Sequence, residues 1–341
     1  MASTATRPGR RVLKARPRNE TVVAYLFLSP YLLVTAVFTV GIVAFALYIS
    51  FTSYNLFEAP SWVGLDNYQR ALGDTRGFLR SLVNVFLYVI VVVPLQTIFA
   101  LMLATILNKP VRAQQFFRTV FYGPSVTSSV VIASIFLWLY LKTGVVNYVF
   151  DRTFSLFGAQ WTPIEWLNDP RGLFQLIANA FGETIPSEQW YFQGPSVTWM
   201  AIMALNIFTT APTFMIMYLA ALQNVPPPLY EASLIDGANR WQQFWNITLP
   251  MLRPVTLLIV VLGTIGSFQI FDQVQFLTAG GPLNTTLTPV YLVYGEALGV
   301  LGGGSVIRMG LASAMAFVLA TIIFIFTFIQ RRYIESGTEQ Y

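Results

Sequence analysis

Six stretches of this chain are free of charged side chains for long enough to cross a bilayer, and nothing else in the sequence restricts its fold as tightly. They are 21–57, 81–108, 119–141, 189–230, 254–271 and 309–330. An ionised side chain at the bilayer centre costs about 2.5 to 3.5 kcal/mol on insertion scales, and about 20 apolar residues cross the hydrocarbon core. Each interval is therefore expected to hold one helix, with spans near 22–51, 81–108, 119–141, 196–222, 254–276 and 309–331. Composition agrees: 55% of the 341 residues are hydrophobic and 10% are charged, against about 25% charged in a soluble chain. The first apolar run, 22–50, exceeds the roughly 7 to 15 residues of a signal-peptide core and is expected to remain as an anchor. Residues 273–295 are also uncharged, but Gly280, Gly281, Pro282 and Pro289 interrupt them and Asn284, Thr285 and Thr286 make them polar, so a loop and a short helix are expected. Pro94 and Pro212 fall inside spans, where membrane helices tolerate them as kinks.

Charge sets the orientation, because basic residues near span ends are retained on the cytoplasmic side. With the N-terminus inside, that side receives thirteen of the twenty basic residues but only five of the fifteen acids. Arg7, Arg10, Arg11, Lys14, Arg16 and Arg18 precede the first span, Lys109, Arg112 and Arg118 lie between spans two and three, Arg240 and Arg253 between four and five, and Arg331 and Arg332 follow the last. Both termini are thus expected in the cytoplasm of a multi-pass protein of the cell (inner) membrane. Residues 1–20 form a basic tail, 334–341 a C-terminal tail and 142–195 an external segment. The basic run directly precedes an anchor, so it is read as a topology signal and not as a nucleic-acid site.

Whole classes of chemistry are closed to the chain. It has no Cys and no His, which removes thiol nucleophiles, imidazole acid-base catalysis and the usual zinc and haem ligands. Its three lysines, Lys14, Lys109 and Lys142, stand in no G-x-x-x-x-G-K-[ST] loop that would cradle a nucleotide's phosphates. No metal site, bound cofactor or catalytic residue is expected.

The informative segment is the loop at 223–252, between spans four and five. Its first helix is expected after Pro226, Pro227 and Pro228, with Glu231 in the first turn, where the macrodipole favours a carboxylate, and with Gly237 at the C-terminal cap, where positive φ is needed. In the helix that follows, Trp241, Phe244 and Trp245 fall at i, i+3 and i+4 and share a face. Two short helices joined at a glycine suit helix-in-groove docking on another protein, and on periodicity they suit an interfacial connector equally well.

A resemblance separates these readings. Glu231-Ala232-Ser233, then Asp236 and Gly237, then Ile247-x-Leu249-Pro250 resemble the EAA loop of binding-protein-dependent ABC importer permeases, with Ser233 in place of the second alanine. Tyr25-Leu26-Phe27-Leu28-Ser29-Pro30, Trp62-Val63-Gly64-Leu65-Asp66-Asn67-Tyr68, Thr278-Ala279-Gly280-Gly281-Pro282 and Phe328-Ile329-Gln330-Arg331-Arg332-Tyr333 are similar to its sugar-importing branch, the maltose-type and glycerol-phosphate-type permeases. The likeness covers roughly 22–333 and is weakest at about 151–195, although Trp166-Leu167-Asn168-Asp169-Pro170 resembles a family feature.

The resemblance implies an all-α polytopic protein of the type I ABC importer permease fold, with six transmembrane helices and a cytoplasmic coupling helix between the fourth and fifth. It also implies a second homologous permease, a dimer of ABC ATPases carrying ATP and Mg, an extracytoplasmic solute-binding protein and a sugar substrate, all surrounded by membrane lipid. Glu231, Ala232, Ser233, Asp236, Gly237, Ile247, Leu249 and Pro250 would couple to the ATPase, and this chain would hydrolyse nothing. A sugar path needs aromatic faces and groups that bind hydroxyls. Phe268, Gln269, Phe271, Asp272, Gln273 and Gln275 near the end of span five, with Asn206, Thr209, Thr210 and Thr213 of span four, offer both, although Thr and Asn also bond to backbone and neighbouring helices. In the external segment, Trp161, Trp166, Trp190 and Tyr191 suit either contact with the binding protein or an aromatic belt. Two other readings stay open: an ABC permease for another solute, and a membrane-embedded lipid-linked glycosyl or acyl transferase built on Glu165 and Asp169.

Overall fold

The computed structural model describes residues 18–74, 77–109, 113–186, 191–300 and 306–335. The basic residues Arg7, Arg10, Arg11, Lys14 and Arg16, together with Arg112, Trp190 and the last residues of the C-terminal tail, lie outside the described residues. The chain divides into two compact units, Met1–Ile49 and Ser50–Tyr341.

The first unit is helical: α1 (Arg18–Val34) runs through a π-helical stretch (Thr35–Gly41) into α2 (Ile42–Ser50). Thr21–Ser50 makes 30 residues long and apolar enough to span a membrane. Its large side chains, among them Phe27, Tyr31, Phe38 and Phe45, are exposed. An apolar surface around the whole shaft suits lipid and not water.

The second unit opens with a small antiparallel ladder, β1 (Thr52–Ser53) on β2 (Ser61–Trp62), and α3 (Asp66–Gly73). Two long helices form its frame, α4 (Phe78–Leu107) and, further along the chain, Val197–Gln223. Between them lie α5 (Gln114–Val126), α6 (Ser129–Leu139), α7 (Val145–Leu156) and α8 (Leu173–Ala180), which makes Val197–Gln223 α9. The loop helices α10 (Pro227–Ile235), α11 (Arg240–Gln243) and α12 (Leu249–Met251) follow, with a π-helical turn at Phe244–Thr248 before α12. The chain ends through α13 (Arg253–Phe268), α14 (Asp272–Leu277), α15 (Pro289–Leu298) and α16 (Met309–Glu335).

α4 and α9 pack along their lengths, α13 lies against both, and α16 lies against α13 and α15. Near one end Val85, Tyr88, Val92, Trp199, Ile202 and Phe268 form a buried cluster; near the other, Ala100, Leu107, Phe214, Tyr218, Leu252 and Ile259 form a second. Polar side chains fasten the connections. Asn84 donates to the carbonyls of Asn284 and Leu287 at 3.1 and 2.9 Å, and its own carbonyl accepts the Trp199 indole N–H at 3.0 Å. Ser196 caps α9 by accepting the Trp199 N–H at 3.0 Å. Gly310 sits where an added Cβ would lie 2.0 Å from the Thr52 carbonyl oxygen, so α16 reaches the strand ladder only with a glycine there.

Among the described residues, four single helices are long and apolar enough to span: Thr21–Ser50, Phe78–Leu107, Val197–Gln223 and Met309–Arg332. Pro94 and Pro212 leave α4 and α9 continuous, as expected for kinks. Spans three and five differ from one unbroken helix each. α5 and α6 meet at 97°, because Thr127 and Ser128 are extended, with ψ of 142° and 135°. The hydroxyls of Ser125 and Thr127 bond back to the carbonyls of Tyr122 and Gly123 at 2.8 and 2.9 Å, taking acceptors that helix continuation would have used. Span five is expected at 254–276, yet α13 stops at Phe268 and the chain restarts in α14, with Thr288 satisfying the Ile270 carbonyl in the gap at 3.2 Å. At its other end, Arg240–Met251 joins Arg253–Phe268 at 66°. The uncharged region 273–295 is no span: α15 has 10 residues, about 15 Å of helix against about 30 Å of hydrocarbon.

Candidate functional site

Two places gather the residues singled out in the sequence. The first is the loop at 223–252. Pro226 is the N-cap of α10 and Pro227 its first residue, since a fixed φ near −65° suits a position whose N–H is unsatisfied anyway. Starting there places Glu231 fifth in the helix, beyond the first turn, so the dipole argument for it does not apply. At the other end Gly237 has φ +78°, its N–H meets the Leu234 carbonyl at 3.1 Å, and the Ala238 N–H meets the Ser233 carbonyl at 2.9 Å. Those two bonds make a Schellman cap, which needs the left-handed residue that glycine supplies without strain. Asn239 and Gln242 then cap α11 reciprocally, at 2.9 and 2.8 Å. This N-x-x-Q box was visible in the sequence and was passed over there.

Ser233, the departure from the EAA pattern, has work in this loop. Its hydroxyl donates to the Tyr230 carbonyl at 2.8 Å and accepts from Gln243 Nε2 at 2.9 Å, tying α10 to α11. The Tyr230 and Thr248 hydroxyls, 2.9 Å apart, make a second tie to the stretch that carries Ile247, Leu249 and Pro250. Glu231, Ala232 and Asp236 are exposed, and at the tip Leu234 and Ile235 are 63% and 87% exposed. Trp241, Phe244 and Trp245 stand on one face with ring centroids 5.7 to 6.2 Å apart. Apolar side chains held outward on a braced, capped helix make a surface suited to a complementary groove.

The second place is a cavity of about 260 Å³ at the α5–α6 bend. It is lined by Thr209, Thr210, Thr213 and Gln273, by Ser125, Thr127 and Ser129, and by Pro124, Ile132 and Leu205. Just beside it the Ser129 hydroxyl donates to Asp272 Oδ2 at 2.6 Å, pinning α6 to the first residue of α14. The three extra hydroxyls were not anticipated, although Pro124-Ser125-Val126-Thr127-Ser128-Ser129 interrupts an otherwise apolar span and signals a functional break on the cost of intramembrane polar groups. Irregular backbone at such a place is tolerated where it lines a cavity. Hydroxyls and one amide, with no charged side chain in the lining, can exchange hydrogen bonds with a neutral, hydroxyl-rich solute.

The remaining expected path residues lie elsewhere. Phe268 is fully buried between Phe86 and Phe326, at 5.2 and 5.6 Å, and is a core residue. Phe271 packs on Tyr291 and Tyr294, so neither ring lines the cavity. Asn206 accepts from the Thr210 hydroxyl at 3.3 Å, Gln269 is exposed at the end of α13, and Gln275 has a buried Oε1 without a hydrogen-bond partner among the described residues. In the segment 142–195 Trp161 and Trp166 stack on Phe150 at 4.7 and 5.8 Å. Tyr191 is exposed beside Phe192. The two acids of the transferase reading are bound separately: Glu165 to Lys142 at 3.2 Å, and Asp169 to Arg171 Nε at 2.9 and 3.1 Å. Burial pushes the Asp169 carboxyl up, but the hydrogen bonds and charge of Arg171 outweigh it and hold the group below the usual carboxylate range. A carboxyl held ionised is a poor general acid.

A helical membrane protein with a braced, exposed loop and a hydroxyl-lined break in its spans has the parts of a transport permease. The chain is a member of the family described as binding-protein-dependent transport system inner membrane component, whose model matches residues 96–336. It is 33% identical over 315 residues to the probable ABC transporter permease protein YesP of Bacillus subtilis (strain 168), covering 92% of this chain and 90% of that one. It is 32% identical over 316 residues to the arabinooligosaccharides transport system permease protein AraP of Halalkalibacterium halodurans, covering 92% and 87%. A chain from the crystal structure of a bacterial alginate ABC transporter, in complex with an alginate pentasaccharide-bound periplasmic protein, shares the fold with a TM-score of 0.72 over 94% of this chain and 96% of that one, at 20% identity.

Proposed function

We propose that this chain is one of two homologous permease subunits of an ATP-driven importer for a carbohydrate: an oligosaccharide, a disaccharide or a sugar derivative. An extracytoplasmic binding protein delivers the solute, and a dimer of ABC ATPases, carrying ATP and Mg, supplies the work. In this reading the chain crosses the inner membrane six times, α5–α6 and α13 with its flanking helices each counting as one crossing, and both termini are cytoplasmic. The loop at 223–252 is the coupling element. Closure of the ATPases moves α10, and the ties from Ser233 and Tyr230 carry that movement through the 66° elbow into α13. The cavity beside the α5–α6 bend contributes to the solute path, where Thr209, Thr213, Ser125 and Gln273 would exchange water for sugar hydroxyls.

One observation carries the reading: the Glu231-to-Pro250 pattern folds into an exposed helix closed by a left-handed Gly237, in a chain of the binding-protein-dependent family. The sugar cargo is supported by the uncharged, hydroxyl-lined cavity and by the arabinooligosaccharide substrate in the name of a relative. Reconstitution in proteoliposomes tests it. Sugar uptake should require this chain, the second permease, the ATPase and the binding protein together with ATP. Uptake by this chain alone refutes the coupling scheme, and ATP-driven uptake of phosphate, peptide or amino acid in place of sugar corrects the cargo.

A further inference from the structure

Two cavities meet where the end of α4 faces α11, and they differ in polarity. One, of about 530 Å³, is an apolar groove along Ile98, Leu101, Met102 and Ile106, closed by Trp241 and Phe244. The other, of about 460 Å³, is mixed: Leu222, Tyr230 and Phe244 line it together with Asn108, Gln243, Thr248 and two cations, Lys109 and Arg240. Thr105, Arg240 and Phe244 line both, so the two adjoin. No carboxylate lines either cavity, and neither Lys109 nor Arg240 takes part in an ion pair among the described residues.

We infer that this composite site holds one anionic phospholipid of the cytoplasmic leaflet, with its phosphate between Lys109 and Arg240 and an acyl chain in the groove along α4. Two exposed cations on the lining of one cavity, with no carboxylate beside them, attract an anion. The adjoining groove is several residues long and apolar, which a free phosphate leaves unused and an acyl chain fills. Basic pockets between helices at the cytoplasmic surface take lipid head groups on these grounds. The inference rests on the proposed orientation for its sidedness. It also gives Trp241 and Phe244 a second role, covering a lipid at the foot of the coupling loop.

The test uses the full chain, purified in detergent, stripped of lipid and incubated with phosphatidylglycerol or with phosphatidylcholine of the same acyl chains; native mass spectrometry reads retention. Phosphatidylglycerol should be retained preferentially. Lys109→Gln with Arg240→Gln should lower that retention about thirtyfold, as expected for two phosphate-facing cations. Lys109→Arg with Arg240→Lys should keep it, which separates lost charge from misfolding. Met102→Trp, which fills the groove, should lower retention with both cations in place. Equal retention of the two lipids, indifference to the paired Gln substitutions, or efficient displacement by inorganic phosphate overturns the assignment. So does a Gln pair that loses crosslinking to the ATPase while retaining lipid, which marks the cations as a protein contact. Lipid retention requires no transport, so its failure and the failure of ATP-driven uptake are separate results.

Discussion

Gly237 is the residue at which the proposed coupling element turns. A Cβ added there meets nothing within 4 Å, so any harm from substitution comes from the backbone at φ +78°. Left-handed conformation costs a non-glycine residue about 1 to 2 kcal/mol, more for a β-branched one and least for Asn. In the reconstituted importer, ATP-driven uptake should therefore fall in the order Gly237→Asn, Gly237→Ala, Gly237→Val, with the valine variant down about tenfold or more. Equal uptake by all three sinks the coupling role assigned to this cap. The need for a glycine here was legible, because a stop signal follows an apolar helical stretch at the right distance. The neighbouring Ser233 was legible only as a small-for-small replacement. Its bond to Gln243, ten positions later, depends on how two helices fold back on each other, which local pattern does not encode.

Elements divide in the same way. Continuous apolar runs located α4, α9 and α16 because helix length and lipid compatibility leave little choice, and the prolines inside α4 and α9 do not break them. The breaks in spans three and five were not anticipated, since a hydropathy reading averages over a short polar interruption such as Ser125, Thr127 and Ser129. The external segment was legible as polar and aromatic, but not as a folded piece built around Asn147, whose Nδ2 donates to the carbonyls of Leu141, Lys142 and Ile164 and whose Oδ1 accepts from Trp161. Asp169 secures that piece to α9, because its own carbonyl accepts the Thr198 hydroxyl at 2.9 Å. Its folded pKa lies below the unfolded value of about 3.9, so the stabilisation is complete above that pH and is lost as pH falls through the folded value. Thermal unfolding followed by tryptophan emission should accordingly show a loss of stability below about pH 4. Asp169→Asn should flatten that dependence and lower the midpoint at neutral pH; an unchanged acid limb excludes this pair as its source.

At the scale of the whole molecule, the absence of cysteine from the sequence is an experimental advantage. Thr213→Cys and Gln273→Cys place a thiol in the cavity lining, whereas Ser267→Cys places one in the buried layer beside Phe268. A water-soluble maleimide should label the first two in membranes, protection by the transported sugar should follow, and the third should stay unlabelled over the same interval. Labelling of all three at one rate would remove the cavity from the solute path.

The ties within the coupling loop bear on how force travels. With Ser233 clasped by Gln243, and the Tyr230 and Thr248 hydroxyls locked together, the segment from α10 to α12 is a stiff bracket with no slack joint. A displacement of a few ångströms imposed at Ile235 then arrives at the base of α13 as torque instead of being dissipated in bending. In the proposed importer, the closure of the ATPases and the swing of α13 are then one rigid motion.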